Sequence, residues 1–183
     1  MTRISASSFL NLPTFYARAA AYAAYATPTD MFSLRNPVNS GKILIPRIQS
    51  MLCGSTAAAL MKFLWFRRAI LNTLGTPTDI VALKYDSAGD NPVGVARTYG
   101  AAPTINDAAA IINQLSLSTT VLTAAPANVN SSGGSYGWAF NGQDFASPLL
   151  VRPGEELAMN LAGAAIPAGF VADCQVSWME IDA

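Results

Sequence analysis

Two segments near the C-terminus decide the fold class: Leu149-Leu-Val-Arg-Pro-Gly-Glu-Glu-Leu-Ala-Met-Asn160 and Gly169-Phe-Val-Ala-Asp-Cys-Gln-Val-Ser-Trp-Met-Glu-Ile181. In the second, Phe170, Ala172, Cys174, Val176 and Trp178 fall on one face. Asp173, Gln175 and Ser177 fall on the other, with Val171 and Met179 at the ends. A period of two marks a half-buried strand, and Pro167 and Gly169 punctuate its start. In the first segment, Pro153-Gly154 reads as a tight turn, because Pro presets one φ and Gly accepts a positive one. Beyond the turn, Leu157 and Met159 point one way and Glu156, Ala158 and Asn160 the other, a second alternating strand.

Working outward, Lys42 to Met51 and Ala57 to Arg68 are apolar segments flanking Cys53-Gly54-Ser55-Thr56. Pro46 inside the first predicts an edge strand or a bulge, since Pro cannot donate to a ladder. The second is apolar on both faces, as when one faces a core and the other a neighbour; a helix is its competing reading. Asp86 to Pro92 is a turn cluster, with strand candidates after it at Val93 to Thr98, Gln114 to Leu122 and Gly137 to Phe140. Thr104 to Asn113 suits one helical turn or more, and Asn128 to Ser135 a flexible loop. Thr14 to Ala26 is Ala-rich, which favours helix, yet it also alternates aromatic and small residues, which suits a strand. Thr27-Pro28-Thr29 opens an extended segment through Arg35. About nine strand candidates at these spacings predict an all-β antiparallel sandwich or barrel. The division expected is an N-terminal arm, residues 1–26, and a β-sandwich domain, residues 27–183.

The chain has 183 residues, about one domain's worth, so it can bury a core of its own. Apolar residues make up 51% and charged residues 12%, the reverse of a disordered chain. Lys plus Arg is 11 and Asp plus Glu is 11, so a net pull on nucleic acid or anionic lipid is absent. The chain contains no histidine, which removes the usual general base, zinc ligand and Ser-His or Cys-His pair. So little surface charge predicts an exterior covered by other protein, in an oligomer or larger assembly. Cys53 and Cys174 sit in apolar neighbourhoods that suit buried thiols. Met1 to Leu10 lacks the apolar core of a signal peptide, and no apolar run approaches the 18 or so residues that span a bilayer. The expectation is a soluble protein made in a cytoplasm.

Three stretches carry a resemblance. They are Tyr25-Ala-Thr-Pro-Thr-Asp-Met-Phe-Ser-Leu34, Lys42-Ile-Leu-Ile-Pro-Arg-Ile48, and the Arg152-Pro-Gly-Glu155 segment through Asn160 with Ile166-Pro-Ala-Gly169 and Val176-Ser-Trp-Met-Glu180. Together they resemble small virion structural proteins of tailed phages and prophages. The resemblance implies a jelly-roll-like antiparallel sandwich in a bacteriophage particle, often as a homotrimer on the capsid or its appendages. Met1 to Ala24 and the apolar Ala57 to Arg68 depart from it.

No catalytic constellation accompanies these signals. Glu155 and Glu156 are adjacent, so a strand sends them to opposite faces, and they read as a solvated turn. Asp86 and Asp90 offer oxygens without calcium-loop spacing, and they suit a plain turn. Gly133-Gly134, flanked by serines, suits a linker rather than a phosphate cradle. Arg67-Arg68 reads as a strand end, because a nucleic-acid face needs a wider basic patch. No enzyme activity, metal or cofactor is expected. The best functional candidate is the aromatic N-terminus, Phe9, Leu10, Leu12, Phe15, Tyr16, Tyr22 and Tyr25, as a docking surface. Its competing reading is a first strand or helix packed on its own domain. The expected function is a capsid decoration or cement protein of the virion, a homotrimer bound to the major capsid protein or other virion proteins by apolar contact. The alternative is a head-fibre or tail-fibre receptor-binding knob, with Tyr136 and Trp138 as stacking platforms. A small hydrolase or lyase on a β-scaffold is the third class.

Overall fold

Alternating apolar and polar residues set the architecture of the chain. A computed structural model describes residues 13–22, 30–54, 59–107, 111–119, 134–139, 149–160 and 170–183. The strands are β1 (Thr14–Tyr22), β2 (Asp30–Arg35), β3 (Lys42–Gly54), β4 (Ala59–Arg68), β5 (Pro77–Ile80) and β6 (Leu83–Lys84). They continue with β7 (Val95–Tyr99), β8 (Ile111–Thr119), β9 (Gly134–Ala139), β10 (Glu156–Asn160) and β11 (Val171–Asp182). Among the described residues there is no helix.

The strands form two antiparallel sheets, ordered β6-β1-β11-β3-β9 and β5-β7-β2-β10-β4-β8. From β1 to β4 the chain changes sheet at every step. Strands β4 and β8 then lie side by side, and β9, β10 and β11 alternate between sheets again. This interleaving is the jelly roll, a double-sheet solution to the edge-strand problem. Strands β5, β6 and β7 are an insertion between β4 and β8 that extends both sheets on the β1 and β2 side.

Where their residues are described, all three helical readings give way to bridges and ladders. Ala59–Arg68 is strand β4, held between β10 and β8. Thr104 bridges Thr73, and Ile111 to Asn113 open β8, so no helix occupies the described part of that stretch. Thr14–Tyr22 takes the strand form and pairs with β11. Long-range pairing gives these backbone groups ladder partners and overrides the modest helix propensity of alanine.

The core lies between the sheets. Phe15, Leu44, Cys174, Val176 and Trp178 enter from one side, and Phe32, Leu34, Phe63, Trp65, Leu157 and Met159 from the other. Each such side chain contributes about 1.5–3 kcal/mol when fully buried. Phe15 faces Trp178 across the β1–β11 ladder with ring centroids 5.8 Å apart. Pro46 sits at the expected bulge, where the register steps from Ser177↔Ile48 to Trp178↔Pro46. Strand β3 is interior, not an edge, but β9 pairs only from Ile48 onward, so Pro46 owes no donor on that side.

Two polar clasps fix one end of the sandwich, where Lys42 and Leu44 of β3 lie opposite Asp182 and Glu180 of β11. The Arg152-Pro153-Gly154-Glu155 turn closes through Glu155 N–H to Arg152 C=O at 2.9 Å, with Gly154 at φ 85°. Buried Asn36 ties that turn to β3: its Nδ2 donates to the carbonyls of Lys42 (2.7 Å) and Val151 (2.9 Å). Buried Glu180 accepts from Val93 N–H (2.9 Å), Gly94 N–H (2.8 Å) and Trp178 Nε1–H (2.9 Å). Gly94 permits this approach, since a Cβ there would sit 2.8 Å from Trp178 Nε1.

Replacing Glu180 by Leu strands three donors in a dry site, each costing about 1–3 kcal/mol when unsatisfied. We expect Glu180→Leu to lower unfolding free energy in urea by roughly 3 kcal/mol or more, against a change near zero for a surface control such as Asp86→Asn.

Candidate functional site

On β10, Leu157 and Met159 belong to the core, so Glu156, Ala158 and Asn160 occupy the opposite, outer face of the six-stranded sheet. The sequence predicts solvent for that face. Instead all five residues of β10 are buried. Two connecting segments, residues 69–76 and 100–107, run together over this region as a double strap. They join through Thr73 N–H to Thr104 C=O (3.2 Å), Thr104 N–H to Thr73 C=O (2.7 Å) and Ala101 N–H to Gly75 C=O (2.9 Å).

Buried charges hold the strap down. Asp30 of β2 accepts Nε–H and Nη2–H of Arg68, the latter at 2.7 Å. It also accepts Asn160 Nδ2 (2.8 Å) and Asn72 Nδ2 (2.6 Å). Arg68 crosses Phe66, its guanidinium 4.8 Å from the ring centroid, and its Nη1 donates to Asp107 C=O at 2.5 Å. Glu156 accepts Asn72 N–H at 2.9 Å and lies 3.2 Å from Arg35 Nε. Arg35 Nη2 donates to Asn72 C=O at 3.2 Å. Asn72 is thus gripped through its N–H, its C=O and its side-chain amide. Burial raises the Glu156 carboxyl above its ordinary pKa, against the lowering pull of Asn72 N–H and of Arg35. Burial likewise pushes the neighbouring Tyr99 hydroxyl up to about 12.

The braced strap carries backbone strain. Leu74, Gly75 and Thr76 run consecutively through the left-handed region at φ 60°, 81° and 48°. A Cβ at Gly75 would lie 2.8 Å from the backbone of Pro103. For Leu and Thr this conformation costs roughly 1–2 kcal/mol each, and such cost persists only where the surroundings over-determine it. The strained turn presents Leu74 at 74% exposure, with Ile70 at 55% and Ile105 on the companion segment. Exposed Val38 lies beside Leu71 at the strap's foot. A second exposed apolar strip, Val81, Leu83 and Tyr85, follows β5. Tyr85 stands 6.0 Å from Tyr16 beside an open cleft of about 410 Å³. Among the described residues no group of three or more His, Cys, Asp or Glu is placed to hold a metal.

The aromatic candidates of the N-terminus separate. Phe15 is buried in the core, Tyr16 lies half-buried on the other face of β1 near Tyr85, and Tyr22 ends β1 opposite Ala172. Phe9, Leu10, Leu12 and Tyr25 lie outside the described residues. Tyr136 and Trp138 pair with Met51 and Gln49, in the cross-strand rows of buried Cys174 and Val176. Asp86 caps its own turn through Ala88 N–H at 2.9 Å. Glu156 corrects the sequence reading: Glu155 sits in the turn, but Glu156 is fully buried and ion-paired, because the strap excludes water from it. Arg67 is exposed, whereas Arg68 is buried against Asp30. Sequence reasoning missed the group formed by Asp30, Arg68, Asn72, Glu156 and Asn160. The available signal was ionic residues placed inside apolar strands of a chain with few charges.

Comparison of the chain with protein-family models, curated proteins and solved structures finds no match.

Breaking a buried pair leaves its partner uncompensated at about 3–5 kcal/mol, so Asp30→Asn should lower stability by that order in urea unfolding. Glu156 gives a pH signature. Its raised folded pKa means that its contribution is fully present below the ordinary value of 4.5 and fades as pH rises through the folded value. Glu156→Gln cannot ionise. The stability of this variant relative to the parent should therefore climb with pH from 4.5 upward and stay level below it, as read from urea midpoints across that range.

Proposed function

We propose that this protein is a non-catalytic assembly subunit, a bacteriophage decoration or cement protein that binds the capsid shell as a homotrimer. The observation that carries this reading is the direction in which the side chains are spent. Among the described residues the ion pairs are Arg18–Asp173, Arg35–Glu156, Lys42–Asp182, Arg68–Asp30 and Arg97–Asp79. Two of these are buried under the strap, while Leu74 stands outside on strained backbone and Ile70 and Ile105 are exposed on the same strap. A rigid apolar crest loses little freedom on docking, so more of its buried area appears as affinity. At about 25 cal/mol per Å² a modest contact stabilises one copy weakly, and repetition around a shell multiplies it. The resemblance of the Arg152–Asn160 and Val176–Glu180 segments to virion proteins supports the same reading. A receptor-binding knob built on Tyr136 and Trp138 is less well supported, because both lie in the register rows of the core.

Leu74→Asp tests the crest. Asp accepts the left-handed region better than Leu, so folding should be unchanged by thermal melting. Co-sedimentation with capsids that lack the protein should fall about tenfold or more, the scale of a lost interface anchor. Full shell occupancy by the variant, or a monodisperse monomer at high concentration in light scattering, would sink the proposal. A truncation testing the aromatic N-terminus must end before Pro13, because Phe15 is part of the core.

A further inference from the structure

At the foot of the strap a half-open cleft of about 210 Å³ is lined by Arg35, Pro37, Val38, Leu71, Val95 and Arg97. Its ionic lining is two arginines, with no carboxylate among them. They come from adjacent strands in register: Arg35 of β2 pairs with Val95 of β7, and Ser33 with Arg97, so both lie on the outer face two residues apart.

Each guanidinium is held by one edge. Arg35 faces Glu156 through Nε and donates to Asn72 C=O through Nη2. Arg97 grips Asp79 through Nε (2.5 Å) and Nη2 (3.0 Å). Among the described residues, neither Nη1 group has a hydrogen-bond partner. Arginine has five donors in a fixed planar fork, so the edges left over present a fixed set of charged donors beside the cleft. Glu156 is fully buried under the strap, and Asp79, on the edge strand β5, is engaged through Arg97 Nε and Nη2, so neither carboxylate lines the cleft.

We propose that this cleft is a binding site for a carboxylate carried on a short apolar stem. Planar carboxylates match a guanidinium edge in two parallel bonds. Pro37, Val38, Leu71 and Val95 give the stem an apolar wall, which a bare inorganic anion would leave unfilled. The volume suits one small molecule or one residue of a polypeptide. The site does not depend on the assembly role: it is built by β2, β7 and the strap of a single chain.

The test is a titration of the full-length protein, followed by amide NMR shifts and calorimetry, with butyrate, sulfate at equal ionic strength, and N-acetyl-alanyl-leucine as free acid and as amide. Saturable butyrate binding with shifts at Val38, Leu71 and Val95 is expected, weakened about tenfold by Arg97→Gln, the scale of one charge-assisted bond. Arg97 is a surface residue paired with exposed Asp79, so the variant should keep the fold. Tighter binding of the free-acid peptide than of butyrate, with none by the amide, assigns the site to a chain terminus; equal binding assigns it to a small carboxylate. No saturable binding, unchanged affinity in Arg97→Gln, or sulfate binding as tightly as butyrate would overturn the proposal.

Discussion

The carboxylate of Asp30 is the constraint on which the outer half of the molecule depends. It receives hydrogen bonds from β4, from β10 and from the strap, through Arg68, Asn160 and Asn72. A buried carboxylate is tolerable only when its lone pairs are filled and a cation stands beside it. Asp30 meets both conditions by drawing three separate segments to one point. Arg68 reaches it by lying over Phe66, along a face where Ala158 is small enough to leave room. Glu156 and Arg35 repeat the arrangement at the other end of β10.

This arrangement explains how so weakly charged a chain uses its ions. The pairs beneath the strap contribute little net stability over an apolar core of the same volume. What they supply is register and position: a layer that forms only when β2, β4, β10 and residues 69–76 meet correctly. Their grip on Asn72 also holds the next residues, Leu74 to Thr76, in a backbone conformation that two of them would not choose. The ionic layer and the strained apolar crest are therefore parts of one device. The buried ionic layer braces the exposed apolar crest from below.

The jelly roll shapes where this device sits. The insertion carrying β5, β6 and β7 leaves the eight-strand framework after β4 and returns before β8. Its first segment and its last form the strap, and its strand β7 supplies Arg97 to the cleft. The framework carries most of the apolar core, while among the described residues the insertion carries Ile70, Leu74, Val81, Leu83 and Ile105, every large exposed aliphatic side chain except Val38. Core and exposed apolar surface are thus largely segregated along the described chain.

Much of the framework is written locally. Alternation from Phe170 to Trp178 gives a strand with its core face assigned, Pro153-Gly154 gives the turn, and Pro46 marks the bulge, because each follows from the geometry of single residues and their neighbours. The fate of Asp30, Arg68 and Glu156 is a different matter. A charged residue in a strand has the same local pattern whether water or a buried partner lies above it, and the partners here stand 38 to 130 positions away. Alanine-rich β1 and apolar β4 were open between helix and strand for the same reason: short-range preference is worth tenths of a kcal/mol per residue. Only the closing of the sheets, which brings distant backbone and charge together, outweighs it.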